Sequence, residues 1–275
     1  MNPTTQNLPM EPVETAGENP ININDFASPL TIKNIVAAAH FQPDPEKEIP
    51  AELQVILDDP TAFSNNGMKL EADGSLVDCI PLHHLAVNLR NCEYSPKYGQ
   101  NKGFSGAIFR FRRIVDGHSQ AHTYLIFSSG KVVINGGLKS LKDIQPAVKI
   151  IQKVFRRLPA TSHLRLVTFQ TTNIVAAAKL KFPIAIHKLP TLVSMMPSVR
   201  DSIRVSYEPE LFSGARIHFQ SIGDKPLTKE TGKPYAALFV NGSFFITGNK
   251  TILQLREVHA TLIAILITFR DLRTP

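Results

Sequence analysis

The residue types best suited to catalysis or metal binding are nine histidines, two cysteines and the adjacent carboxylates Asp58 and Asp59. Hydrolytic or metal-assisted chemistry needs several of them converging, as in a His-Glu-x-x-His helix or a paired Cys-x-x-Cys. That convergence is absent. His83 and His84 are neighbours on a predicted helix and so point in different directions, while His40, His118, His122, His163, His187, His218 and His259 occur singly. Cys79 and Cys92 have no paired spacing, which argues against a structural zinc site or a disulfide scaffold and for a reducing compartment. Asp58 and Asp59 stand beside Pro60, where adjacent carboxylates are normally solvated. There is no glycine-rich phosphate loop, nucleophile elbow or dinucleotide fingerprint. The chain is therefore expected to be no enzyme and to need neither metal nor cofactor.

The aromatic residues are more informative. Phe104 and Phe212 each stand just before Ser-Gly, and Phe127 and Phe239 each end an apolar run that leads into a turn. A phenylalanine at a strand end beside a glycine can project as an apolar wedge; packing into an ordinary core is the other reading of the same pattern. Ala37 to Ala39 and Ala176 to Ala178 lack bulky side chains and let a flat partner approach the backbone. Asn34 and Asn173 precede these runs and offer amides to base edges, or simply form turns. Arg110, Lys131 and Lys250 lie near predicted hairpins, where they can meet phosphates and contribute affinity that weakens with salt. The net charge of +7 and pI near 9.4 favour a polyanionic partner without choosing one.

The elements that position these residues come in two copies. Asn34-Ile-Val-Ala-Ala-Ala39 recurs letter for letter as Asn173-Ile-Val-Ala-Ala-Ala178. The first copy continues with a helix from Leu82 to Arg90, a strand opening at Phe104, a hairpin from Tyr124 to Gly136 and a helix to about Arg157. The second continues with a helical stretch from Leu192 to Ile203, a strand to Phe219, a hairpin from Tyr235 to Gly248 and a helix to about Arg270. Asn241-Gly242 between apolar strands predicts a tight turn with both residues at positive φ. Residues 42 to 77 and 220 to 234 interrupt the symmetry as surface excursions, the first with a short helix over Ala51 to Leu57. Residues 1 to 28 hold four acidic residues and no Lys or Arg, and predict a flexible acidic tail. The first repeat is set at 29–160 and the second at 161–275. No apolar run reaches the roughly 18 residues of a membrane span.

Arg90-Asn-Cys-Glu-Tyr-Ser-Pro-Lys97, Leu125-Ile-Phe-Ser-Ser-Gly-Lys131, Lys181-Phe-Pro-Ile184 and Ser206-Tyr-Glu-Pro-Glu-Leu-Phe212 resemble the C-terminal core of the TATA-box-binding protein family, over about residues 29–41 and 80–272. The resemblance implies an α+β saddle: two pseudo-symmetric repeats forming one curved antiparallel sheet, its concave face in the DNA minor groove and its helices on the convex face. It implies that Phe104, Phe127, Phe212 and Phe239 intercalate, and that Asn34, Val36, Leu125, Val133, Asn173, Val175 and Thr247 line the groove. Glu208, Glu210 and Leu211 match positions that contact general transcription factor IIB; factor IIA and TBP-associated factors are further partners. A nuclear general initiation factor that bends TATA-like promoters is the leading expectation. A paralogue with altered TATA preference that mainly recruits other factors is the alternative. An enzyme with an appended copy of this fold is the third reading, but no second catalytic domain is left over.

The departures from the family pattern lie mostly in the second repeat. Asn135 replaces Thr, Ala237 replaces Leu, Phe245 replaces Val and Ser213 replaces Pro. His218 and Ser243 stand where basic residues face phosphates. The helix over 140–157 carries Lys139, Lys142, Lys149, Lys153, Arg156 and Arg157, but Gln145-Pro146 interrupts its charge. The loop around 112–122, which factor IIA contacts in the family, is longer here.

Overall fold

The structure is a computed structural model that describes residues 25–69, 79–95, 104–115, 117–223, 225–228 and 230–269. Contacts divide the chain into two compact units: residues 35–171, and residues 172–275 with the chain up to Asn34. Each unit is an antiparallel sheet with helices packed on one face, so the fold class is α+β as expected.

In the 35–171 unit the elements run β1 (Thr31–Pro43), α1 (Ala51–Asp58), α2 (Pro60–Asn65), α3 (Leu82–Asn88), β2 (Cys92–Glu93), β3 (Ala107–Val115), β4 (His118–Ile126), β5 (Lys131–Asn135) and α4 (Ile144–Arg157). The strand order is β2-β3-β4-β5-β1. Period-two alternation sorts the two faces. Ile35, Ala37, Ala39 and Phe41 of β1, with Tyr124, Ile126, Val132 and Ile134, are buried beneath α4. The helix presents Ile144, Ala147, Val148, Ile151 and Phe155, one stripe at helical spacing. Two contacts fix it there: the Tyr124 hydroxyl donates to the Ala147 carbonyl at 3.0 Å, and the Phe155 ring meets Phe41 edge-on at 4.9 Å. A capping box precedes it, in which Ser140 Oγ accepts from Lys142 N and Asp143 accepts from Ser140 N. Pro146 falls in the first turn, where no backbone N–H is required, so the helix runs unbroken to Arg157.

Two expectations change in this unit. The 42–77 excursion is more than surface chain. In it α1 and α2 bury Leu53, Ile56 and Met68 against Ala160, with Leu57, Ala62 and Phe63 packed around them. Asp44 N donates to the His163 carbonyl, and Lys47 Nζ to the Ser162 carbonyl, tying its near end down. The stretch 112–122 is likewise no long loop. Strands β3 and β4 stay paired from Ala107↔Ile126 out to Val115↔His118, so the turn is confined to residues 116 and 117.

The second unit contains β6 (Leu164–Lys179), whose start belongs to the first, then α5 (Leu189–Met195), α6 (Pro197–Arg200), β7 (Ile203–Ser206), β8 (Ala215–Phe219), the short hairpin β9 (Ser221–Ile222) and β10 (Lys225–Pro226), β11 (Gly232–Leu238), β12 (Ser243–Asn249) and α7 (Ile252–Thr268). Its order is β6-β12-β11-β8-β7. The helical stretch expected to reach Ile203 ends at Arg200, and Ile203 instead begins β7 at the sheet edge. Thr251 caps α7 by accepting from Gln254 N at 3.1 Å. Leu255, Val258, His259, Leu262 and Leu266 then face the sheet. The 220–234 excursion is held against α7, because Gln254 Nε2 donates to the Thr231 carbonyl and Lys250 Nζ to the Glu230 carbonyl.

The expected flexible tail ends earlier than residue 28. Ala27 is buried and bridges Leu180, Lys181 N donates to the Phe26 carbonyl, and Ser28 N donates to the Lys179 carbonyl at 2.7 Å. The tail before residue 25 lies outside the described residues, as do residues 70–78 of the first excursion, Pro96, Lys97 and Arg270. Among the described residues no helix is long and apolar enough to cross a membrane.

Candidate nucleic-acid interface

The sheet face opposite the helices carries the predicted groove residues. Asn34 and Val36 on β1, Leu125 on β4, Val133 on β5, Asn173 and Val175 on β6 and Thr247 on β12 are all half-buried positions of that open face. Strand register brings several of them side by side, with Leu125 opposite Val133 and Val133 opposite Ala38. The Asn173 amide is held in place: its Oδ1 accepts from Gly248 N at 2.7 Å, and the Thr247 hydroxyl spans its Oδ1 and Nδ2 at 3.1 and 3.0 Å. An amide fixed in this way presents one orientation to a partner.

The four phenylalanines form two matched pairs. Phe104 and Phe127 meet with ring centroids 5.7 Å apart at 65°, and Phe212 and Phe239 meet at 5.7 Å and 62°. Phe104 and Phe212 stand on bends ahead of β3 and β8 rather than inside those strands, and the glycines explain why. A Cβ on Gly106 would lie 2.9 Å from both the Phe104 ring and the Ile126 carbonyl, and one on Gly214 would lie 2.9 Å from Phe212 and 3.0 Å from Phe239. Each ring pair thus occupies space that only a glycine leaves open.

The hairpin turns fix the other member of each pair. Phe127 N donates to the Lys131 carbonyl and Gly130 N to the Phe127 carbonyl; Phe239 repeats both bonds with Ser243 and Gly242. The turn at Asn241-Gly242 differs from expectation. Only Gly242 has positive φ (78°), while Asn241 Oδ1 accepts from Ser243 N at 2.9 Å. This is the three-residue loop closed by a left-handed glycine rather than a two-residue turn, and Gly130 does the same at φ 83°.

The predicted phosphate contacts are unequal. Lys131 is exposed at the start of β5. Arg110 is on the open face but its guanidinium is 2.8 Å from Glu93 on the neighbouring strand. Lys250 is drawn away to the Glu230 carbonyl at 2.6 Å. Glu208, Glu210 and Leu211 sit together on an exposed turn, closed by Leu211 N and Phe212 N donating to the Glu208 carbonyl, and that turn leads straight into the Phe212 wedge. Leu211 is 73% exposed, an apolar side chain presented to solvent.

Three features were not drawn from the sequence. The Arg216 guanidinium lies 4.9 Å over the Phe212 ring, a cation–π contact that adds charge to the second wedge pair. Its counterpart, two residues after the paired glycine, is Ile108, so aligning the copies gives the signal. Ala237 stands opposite Phe245 in register, which makes the two departures one exchange of sizes between facing strands. Tyr235 joins Phe245 on the same face, with ring centroids 6.0 Å apart. Among the described residues no group of three His, Cys, Asp or Glu is placed to hold a metal.

Comparison with known proteins agrees with this arrangement. The sequence model of the family described as transcription factor TFIID, or TATA-binding protein, matches residues 72–158 and 168–269. The chain is 30% identical to the TATA-box-binding protein of Schizosaccharomyces pombe over 195 residues, 70% of this chain and 71% of that protein. It is 31% identical to TATA box-binding protein-like 2 of Mus musculus over 70% of this chain, spanning 46% of that protein's length. It is 28% identical to TATA-box-binding protein-like 1 of Entamoeba histolytica, covering 70% of this chain and 74% of that one. The solved structure of Methanococcus jannaschii TBP shares the fold, with a TM-score of 0.52 at 19% identity over 87% of this chain and 98% of that chain. With both repeats matched in sequence and the fold shared, the chain belongs to the TATA-box-binding protein family.

Proposed function

We propose that this protein is a nuclear general transcription initiation factor that binds TATA-like promoter elements through the minor groove, bends them and nucleates preinitiation complexes. The family is one of non-enzymatic DNA-binding factors of transcription initiation. The observation that carries the finer reading is the pair of matched phenylalanine wedges, each set beside a glycine that leaves room for it. Apolar wedges unstack a base step and kink the duplex away from the protein, and small or aliphatic residues between them follow the groove floor.

The test is a titration of a fluorescent TATA duplex and a G·C-rich control over a range of salt concentrations. Tighter binding of the TATA duplex, with affinity falling steeply in salt, supports the reading; equal affinity for both overturns the sequence preference. Lys131→Ala is expected to weaken binding to both duplexes alike and to lower the salt slope by about 1. Arg110→Ala is expected to change the slope less, since Glu93 already neutralises that side chain.

A second reading is a paralogue that keeps the fold, has altered TATA preference and acts mainly by recruiting other factors. The Phe245–Ala237 exchange on the open face favours it. A TATA to G·C affinity ratio near one, with factor recruitment intact, would select it. Under either reading the exposed turn of Glu208, Glu210 and Leu211 is the docking point for factor IIB, and factor IIA and TBP-associated factors are further partners. Glu210→Arg is expected to abolish factor IIB recruitment on DNA without weakening binding to DNA alone. A supershift that survives this variant would remove the turn from the interface.

A further inference from the structure

The open face of the second unit differs in kind from that of the first. Register places Tyr235, Ala237 and Phe239 of β11 on one face with Phe245 of β12, Arg216 and His218 of β8, and Arg204 of β7. Rings then run across it without a gap. Phe212 to Phe239 is 5.7 Å, Phe239 to Phe245 is 6.3 Å, Phe245 to Tyr235 is 6.0 Å and Tyr235 to His218 is 5.0 Å. Ala237 is fully buried although it belongs to the open face, which is the mark of a methyl roofed by the rings around it. In the first unit the paired rings of Phe104 and Phe127 give way on the equivalent face to aliphatic Leu125, Val133 and Ile108.

The charge of this face is of one sign. Arg204, Arg216 and Lys179 belong to it, and no carboxylate occupies the register positions just named. The grouping is tight enough that burial, and then the Arg204 and Arg216 cations, hold His218 below the usual histidine range. That imidazole is neutral near pH 7 and offers a ring instead of a further charge.

A paired duplex shows its minor-groove partner base edges, not base faces. A bulky ring in the middle of a groove-reading sheet hinders close approach to those edges. Aromatic rings on adjacent strands of an open sheet, fringed by cations, are instead how sheet proteins take up unpaired bases, by stacking with the phosphates held at the rim. We propose that the open face of the second unit binds unpaired bases of a DNA strand, stacking them on Phe245 and Tyr235, so that DNA unstacked by the Phe212–Phe239 wedge is captured as open strand. The inference rests on the preceding reading of the chain as a DNA-bending factor and deepens it: the second repeat holds distorted DNA where the first follows paired groove.

The test uses the full chain with two probes, a short single-stranded DNA containing 2-aminopurine and the fully paired TATA duplex. Wild type is expected to bind the single strand and quench the 2-aminopurine. Ala237→Leu/Phe245→Val, which exchanges the two facing sizes, should bind the single strand about tenfold or more weakly and the paired duplex at least as tightly. Tyr235→Leu, which leaves the Ala237–Phe245 packing intact, should give a second, independent loss on the single strand. The proposal is overturned if wild type binds the paired duplex but neither binds nor quenches the single strand. Variants that hold the single strand as tightly as wild type would also overturn it. Failure of wild type to bind either probe would instead bring down the DNA-binding reading and this inference together.

Discussion

Phe104→Ala/Phe127→Ala is expected to lower affinity for a TATA-like duplex by about 30- to 900-fold, the equivalent of about 2 to 4 kcal/mol for truncating a central apolar anchor. The bend, followed by energy transfer between dyes on the two duplex ends, should relax with it. The two rings are each other's neighbours at 5.7 Å, and Phe104 is 41% exposed, so neither is a keystone of the fold. Their removal therefore costs folding stability only about 1 kcal/mol, while it takes away the group that would fill an unstacked base step. Phe212→Ala/Phe239→Ala provides the internal comparison. That pair has the Arg216 cation over it and the Phe245 ring beside it, so its loss should leave more residual affinity than loss of the first pair. Unchanged affinity and bend in the Phe104/Phe127 variant, with an unchanged thermal melt, would show that the wedges do not insert.

The fold and the wedge pairs were legible because they depend on local chemistry repeated in two places. A glycine that must leave room for a ring, a left-handed glycine that closes a hairpin, and alternation that buries Ile35, Ala37 and Ala39 can all be inferred from neighbouring residues. What was not legible depends on partners far away in sequence. Leu53 and Ile56 look like isolated apolar residues in a polar excursion until Ala160 closes a core over them. Arg110 looks free for phosphate until strand pairing sets Glu93 beside it. Ala237 and Phe245 look like two separate departures until register makes them face each other. The turn at 116–117 was missed for a different reason: the basic and polar residues of 112–122 hide a strand alternation that pairing alone reveals.

Stability is expected to fall as the pH drops from 7 towards 4, with His259 the largest identifiable source. Its side chain is 2% exposed on α7, its ring stacks on Phe244 at 5.7 Å, and its Nε2 has no hydrogen-bond partner. Burial pushes its pKa down from 6.5 to about 4. The sign follows from proton counting: below pH 6.5 the unfolded chain takes up a proton that the folded chain refuses. The contribution is complete above the unfolded value and is lost as pH falls through the folded one. The loss from this residue reaches about 2 kcal/mol by pH 5 and about 3 kcal/mol near pH 4, against a typical domain stability of about 5 to 15 kcal/mol. His122 and His163 are also buried and shifted down mainly by desolvation, so they steepen the same acid limb. His259→Leu keeps an apolar side chain of similar size against Phe244 and removes the titrating group. Urea melts at pH 7 and pH 5 should then show the variant losing about 2 kcal/mol less than wild type between the two. Parallel losses in the two proteins would mean that His259 is protonated in the folded state. The packing of α7 on the second sheet would then have to accommodate a charged imidazole beside Phe244.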